Sequence, residues 1–156
     1  MIVKLKHIVD KFEEINDEWS GYLNLDTGEI PMIGNGYMAI AEDAEEDDDF
    51  SEYQDWEQEL IAEAALILEK WERIEKLPDR FDIDEYRIME DFSCLYPNEA
   101  VSKKLCDAIQ GKGAFRRFKE MINRLGIEEK WYTFREKALI DFAREWCGFK
   151  EIPYED

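Results

Sequence analysis

The segment with the clearest potential for chemistry is residues 111–119, where two glycines and a lysine precede a helical pattern. The first N–H groups of a helix have no partner within the helix, and the helix dipole is positive at that end, so anions bind there. Arginine adds a planar set of donors that matches phosphate, and lysine adds a less directional charge. We therefore predict an anion-binding site formed by Lys112, Gly113, Arg116 and Arg117.

The same segment has alternative interpretations. It lacks the Gly-x-x-x-x-Gly-Lys-Ser/Thr pattern of a P-loop, so it can also be a tight turn between helices whose arginines pair with acidic residues elsewhere. Residues 112–137 contain eight basic and four acidic residues, with Trp131 and Tyr132 among them. Such a mixture can bind single-stranded nucleic acid. However, the aromatic residues fall at the spacing of a helical core, so nucleic acid is the less favoured partner.

A hydrolytic enzyme that uses arginines and carboxylates is a further alternative. Glu85, Glu90 and Asp91 lie close together in sequence, but nothing distinguishes them from a solvated helix face. We therefore assign no catalytic residue, and the choice between a binding protein and an enzyme leans towards a binding protein. His7, the only histidine, is expected to be a surface or capping residue.

Metal-ligand patterns are also missing from the sequence. The aspartates at 47–49 lack the glycine and the final glutamate of an EF-hand loop, and the three cysteines are far apart. We expect no metal site and no cofactor. An odd number of unpaired cysteines is typical of a reducing compartment. With no apparent signal peptide and no apolar run of about 20 residues, this favours the cytoplasm and no membrane partner.

The charge is concentrated in one region. The formal net charge is −19, and residues 12–69 contain 19 acidic residues and no Lys or Arg. The rest of the chain has 39 − 19 = 20 acidic residues against 20 basic ones. Such a region repels nucleic acid and anionic membranes and favours a basic protein. Its densest part predicts a mobile acidic loop at about residues 42–52 within a single domain of residues 1–156.

Turn residues and apolar periodicity predict an α+β fold. Asp26–Gly28 is a turn signal between two short apolar strands, which indicates an antiparallel hairpin. Residues 37–40 are expected to continue this sheet, and residues 72–77 are compatible with a third strand. Helical spacing is expected at 3–15 and 53–71. The C-terminal half reads as four helices: one starting at Asp82, one ending near Gly111, and two spanning about 113–125 and 128–146.

Four blocks of this sequence resemble an uncharacterised bacterial protein family, catalogued as number 0158, of small cytosolic proteins. The blocks lie at residues 22–29, at 77–78 with 84–92, at 111–119 and at 131–135 with Trp146. Gly-Ala-Phe-Arg-Arg-Phe within the third block is the most specific of them. The resemblance implies a bacterial cytosolic protein of one domain, and it implies no activity and no catalytic residues.

These observations together favour a nonenzymatic binding or regulatory protein. Its binding surface would be the basic face of residues 112–124, and its partner a phosphate-bearing ligand, with a basic protein as the alternative partner for the acidic region. A nucleic-acid-associated protein that uses the same face, or a hydrolytic enzyme, remains the alternative function.

Overall fold

The predicted hairpin is present in a computed structural model that describes all residues 1–156. Strands β2 (Trp19–Asn24) and β3 (Met32–Gly34) pair antiparallel, and the turn between them contains Gly28 at a φ of 80°. Strand β4 (Ile74–Lys76) pairs antiparallel with the other part of β2. The strand order is therefore β3-β2-β4, and the α+β class with a third strand is confirmed.

The chain forms two compact units, and the first comprises residues 1–82 and 143–156. Besides the three-stranded sheet it contains helices α1 (Leu5–Phe12), α2 (Asn35–Asp43) and α3 (Asp55–Glu69), and a 3₁₀ helix at Trp71–Arg73. One face of the sheet contributes to a core with α2 and α3. That core contains the buried side chains of Tyr22, Ile33, Met38, Ala64, Ile67 and Ile74.

The sequence predicts that residues 37–40 continue the sheet. This prediction is wrong, because these residues belong to helix α2. The Ser20 hydroxyl donates to Asn35 Oδ1 at 2.7 Å, and Asn35 Nδ2 donates to the Asp17 main-chain oxygen at 3.0 Å. These bonds hold the chain where it leaves β3. Met38 is buried and Ala41 packs against the same cluster, and this spacing of three suits a helix rather than a strand.

The N-terminal helix is shorter than predicted. Val3–Lys4 forms strand β1, which pairs in parallel with strand β5 (Tyr154–Glu155) near the other end of the chain, and α1 follows at once. A pairing between residues so far apart in sequence leaves no local pattern. The period of the apolar residues therefore predicted one continuous helix.

The second unit comprises residues 83–142, and the four predicted C-terminal helices are present. The helix expected from Asp82 begins at Glu85 instead, because Asp84 Oδ1 accepts the main-chain N–H of Arg87 at 3.0 Å. Asp82 belongs to the preceding turn. The helices are α4 (Glu85–Leu95), α5 (Glu99–Ala108), α6 (Ala114–Leu125) and α7 (Glu128–Phe149), the last of which extends into the first unit from Ala143 onwards.

Aromatic rings form the centre of the second unit. The Trp131 ring lies 4.8 Å from the Phe118 ring and 5.4 Å from the Phe92 ring, between ring centres, and both contacts are edge-to-face. All three side chains are buried. The interpretation of Trp131 as a residue of a helical core is therefore confirmed.

The acidic segment is partly helical and partly irregular. Glu42 and Asp43 end α2, and the loop that follows contains local turns in which the main-chain N–H of Ser51 donates to Asp49 Oδ1 at 3.1 Å. Its mobility and the single-domain organisation stay predictions. No helix is both long and apolar enough to span a membrane.

Candidate anion-binding site

The turn between α5 and α6 depends on two glycines. Gly111 and Gly113 have φ values of 72° and 76°, in the left-handed region that other residues rarely adopt. Gly113 is also close to an arginine: a Cβ at this position would lie 3.1 Å from Arg117 Nη1. The glycines therefore permit both the course of the turn and the approach of the guanidinium group.

Arg117 binds carbonyl groups at the end of α5 and in the turn that follows it. Its Nε donates to the main-chain oxygen of Ala108 at 2.8 Å, and its two terminal nitrogens donate to the main-chain oxygens of Gln110 and Lys112. The last carbonyls of a helix have no partner within the helix and carry the negative end of its dipole. Arg117 satisfies that end with a full positive charge, and its side chain is half-buried there.

Arg116 and Lys112 are exposed and make no side-chain hydrogen bond or ion pair. Arg116 Nη2 lies 4.0 Å from the place where a Cβ at Gly113 would be. Gly113 is the residue before α6 and offers no side chain to cap the helix, and the first turn contains no acidic residue. Two exposed cations without side-chain partners therefore lie beside a helix start that no side chain caps.

The basic face of α6 continues into a groove shared with α5. The groove has a volume of about 430 Å³ and an apolar floor formed by Ala108 and Met121. Its walls carry three basic side chains and two acidic ones. The basic residues are Lys104, Arg117 and Arg124, and the acidic residues are Asp107 and Glu120.

The cations of this groove differ in how they are held. Arg117 is fixed by its three carbonyl partners, whereas the side chains of Lys104 and Arg124 make no hydrogen bond or ion pair. Long side chains without partners can move to enclose an anion, while a fixed charge at one end defines where it binds. The carboxylates of Asp107 and Glu120 limit the net charge of the lining to +1 and can accept hydrogen bonds from a ligand.

Comparison with known proteins gives one match. The family model described as "Uncharacterised protein family (UPF0158)" matches residues 1–154. The chain belongs to this family. No curated protein and no solved structure matches the chain. For this UPF0158 member, any function must therefore be argued from its own residues.

The four residues of the predicted site lie at one turn, but they do not act alike. Gly113, Arg116 and Arg117 are close neighbours, and Lys112 contributes a carbonyl to Arg117 while its ammonium group is exposed. The sequence interpretation missed Lys104. That residue precedes the buried Leu105 on α5, so a helical projection of α5 could have indicated a cation next to the core-facing side.

The carboxylates considered for a hydrolase are placed differently from one another. Glu85 forms a two-pronged ion pair with Arg135, with 2.6 Å between Oε1 and Nη2 and 3.2 Å between Oε2 and Nε. Glu90 and Asp91 are exposed, and their charges act on the thiol of Cys94. Glu85 is therefore part of a half-buried structural ion pair, in which arginine matches a carboxylate with parallel hydrogen bonds.

Two further cavities lie in the first unit. The larger, about 490 Å³, is lined by His7, Lys70 and Glu63 over an apolar wall that includes Ile67. His7 is an exposed residue of α1, as expected for a surface position. A smaller cavity of about 320 Å³ lies between α2 and the acidic loop. No group of three or more His, Cys, Asp or Glu side chains is arranged to hold a metal ion.

Proposed function

We propose that this protein is a nonenzymatic cytoplasmic binding or regulatory protein of bacteria, and that it binds a phosphate-bearing ligand on the basic face of α6. The observation that supports this most is the groove between α5 and α6, where Lys104, Arg117 and Arg124 face one volume. A phosphate group would lie between the charge of Arg117, which its carbonyl partners hold in place, and the unpaired charges of the other two residues. Charge-assisted hydrogen bonds of this kind are about twice as strong as neutral ones.

The rest of the groove defines the size and character of the ligand. Ala108 and Met121 offer an apolar floor, and Asp107 and Glu120 offer acceptors for hydroxyl or amino groups. The same two carboxylates repel additional phosphates. We therefore expect a small ligand with one terminal phosphate and an apolar or aromatic part, rather than a polyanion. The net charge of −19 also repels nucleic acid, which is a polyanion.

Titration of the full chain by NMR tests the proposal. Inorganic phosphate and adenosine monophosphate are the probes, and the expected result is movement of amide signals in α5 and α6 at millimolar concentration. The double variant Lys104→Ala, Arg124→Ala should lose affinity by about tenfold, which corresponds to about 1.4 kcal/mol. Arg117 is left unchanged because its substitution would disturb the turn as well as the charge.

The control variant is Lys103→Ala, Lys119→Ala. These two lysines are exposed on the same two helices and do not line the groove. Both double variants have the net charge −19 − 2 = −21. A difference in phosphate affinity between them therefore comes from the groove residues and not from the net charge of the protein. Equal affinities for the two variants, or unmoved signals in the wild type, would reject the proposal. Tighter binding of a single-stranded oligonucleotide than of the monophosphate would favour the nucleic-acid alternative.

The contribution of Arg116, which lies beside the start of α6, is tested separately with Arg116→Ala. The Arg116 side chain makes no hydrogen bond or ion pair within the protein, so this change removes a charge without removing a side-chain bond. If the phosphate extends towards Gly113, the substitution weakens binding. An unchanged affinity would restrict the site to the groove lined by Lys104 and Arg124.

A further inference from the structure

Two of the three cysteines are in contact within the second unit. The Sγ atoms of Cys94 on α4 and Cys106 on α5 lie 3.4 Å apart. The sequence gives no hint of this, because eleven residues and a break between helices separate the two positions. The third cysteine, Cys147, is fully buried in the first unit. Cys94 and Cys106 therefore form a local pair of thiols. Cys147 lies outside this pair and serves as the control thiol in the experiment below.

One hydrogen bond between α4 and α5, and a second within α4, lie beside the pair. The Ser102 hydroxyl of α5 donates to the main-chain oxygen of Ser93 at 2.6 Å, and the Ser93 hydroxyl donates to that of Met89 at 2.8 Å. Ser93 is fully buried and directly precedes Cys94. Because this polar link lies next to the thiols, their proximity follows from the packing of the two helices rather than from the freedom of an exposed side chain.

Reagents can reach the two sulfur atoms. Cys94 is exposed and Cys106 is half-buried. A disulfide bond is about 2.05 Å long, so the sulfur atoms must approach by about 1.4 Å, a distance within the range of side-chain rotation.

We propose that Cys94 and Cys106 form a redox modification site, a dithiol that a hydroperoxide converts into an intramolecular disulfide. The bond joins α4 to α5 and is opened again by a dithiol reductant. The site requires no ligand in the groove and is independent of the proposed phosphate binding.

The reaction balances with one hydroperoxide. One thiolate attacks a peroxide oxygen, so that an S–O bond forms, the O–O bond breaks and the leaving hydroxide takes a proton to become water. The second thiolate then attacks the sulfenic sulfur, so that the S–S bond forms and a second hydroxide leaves as water. Overall, two thiols and hydrogen peroxide give a disulfide and two waters. The two sulfurs together lose two electrons, and the peroxide gains them.

Local chemistry sets the conditions for this step. The hydrogen bond with Cys106 is the main cause that raises the pKa of the Cys94 thiol, and desolvation and the charges of Cys106, Glu90 and Asp91 act in the same direction. Because the thiolate is the nucleophile, oxidation should be slow near neutral pH and faster in alkaline solution.

The experiment treats the full chain with hydrogen peroxide and follows intact mass and free thiols after denaturation. The expected result is the loss of two hydrogens and two of the three thiols, a peptide that links Cys94 to Cys106, and full reversal by dithiothreitol. The variants Cys94→Ser and Cys106→Ser should each fail to form this species, whereas Cys147→Ala should form it as the wild type does. Sulfinic acids instead of a linked peptide, or a linked peptide that includes Cys147, would overturn the proposal.

A trivalent arsenical tests the proximity of the sulfurs without oxidation. Phenylarsine oxide binds two neighbouring thiols with loss of water, so one equivalent should protect both thiols of the folded wild type from alkylation. The single variants should lose this protection. Unprotected thiols in the folded wild type would show that the sulfur atoms do not meet, and the proposal would fail.

Discussion

Arg117 donates a hydrogen bond of 2.8 Å from Nε to the main-chain oxygen of Ala108, the last residue of α5. With its bonds to the carbonyls of Gln110 and Lys112, the side chain closes the turn between α5 and α6. Replacement by alanine would leave three carbonyls without this partner. Hydrogen bonds to charged groups contribute more than neutral ones, so we expect Arg117→Ala to lower the free energy of unfolding by about 2–3 kcal/mol. Urea unfolding of the full chain measures this.

Arg116→Ala is the matched control for this prediction. The neighbouring arginine carries the same charge, is exposed and has no partner, so its loss should change the free energy of unfolding by less than about 0.5 kcal/mol. Arg117→Lys should fall between the two, because an ammonium group cannot reach three carbonyls in the geometry of a guanidinium fork. Equal effects of Arg116→Ala and Arg117→Ala would show that the three hydrogen bonds do not stabilise the turn.

Trp131 and Tyr132 are adjacent in α7 and have opposite environments. Trp131 packs against other aromatic rings and is 5% exposed, whereas Tyr132 is 57% exposed. We expect Trp131→Ala to lower the free energy of unfolding by about 3–5 kcal/mol, as for other large core aromatics. Tyr132→Ala should cost less than about 0.5 kcal/mol. If Trp131→Ala instead cost less than about 1 kcal/mol, the residue would be available for stacking on nucleic acid.

The sequence predicted the helices of the second unit because their local patterns agree with their packing. Gly126 has a φ of 67° at the end of α6, and Phe118 and Ile122 on one face are both buried. The parallel pairing of Val3 with Tyr154 could not be predicted, because it depends on two chain ends meeting. The spacing of apolar residues and the residues that favour turns can be recognised in a short stretch of sequence. The pairing of two strands that are far apart in sequence cannot.

The candidate site was predicted in part for the same reason. Residues 111–117 carry a local signature of glycines and cations, so their place at a helix start could be read directly. The role of Arg117 could not, since its carbonyl partners depend on the angle between α5 and α6. The contact between Cys94 and Cys106 likewise depends on how two helices pack.

The acidic loop should exchange its amide hydrogens quickly. Residues 45–49 are all exposed, and apart from local turns they form no regular structure. We expect exchange of these amides within the first seconds in deuterated buffer, while that of Ile61 in the buried part of α3 is much slower. Mass spectrometry after proteolysis distinguishes the two segments. Strong protection across residues 45–49 would contradict the predicted mobility.

Cys147 gives a prediction about pH and stability. It is fully buried in the first unit, and desolvation raises the pKa of its thiol from 9.0 to about 11. In the unfolded chain the thiol ionises at its ordinary pKa, so between pH 9.0 and about 11 ionisation favours the unfolded state. The stability that comes from keeping this thiol neutral is complete below pH 9.0 and is lost as the pH rises to about 11. The loss should be on the order of 2–3 kcal/mol.

A comparison of pH profiles isolates this effect from the titration of lysines and tyrosines. The free energy of unfolding of Cys147→Ala should fall less steeply than that of the wild type over the same alkaline range, although the variant starts lower because a buried sulfur is missing. Ile152→Val is the control, since it removes one buried methyl group of the first unit and no ionisable group. Its curve should run parallel to that of the wild type. Parallel curves for Cys147→Ala as well would mean that the thiol ionises equally in the folded and unfolded chain, and that its burial does not raise the pKa.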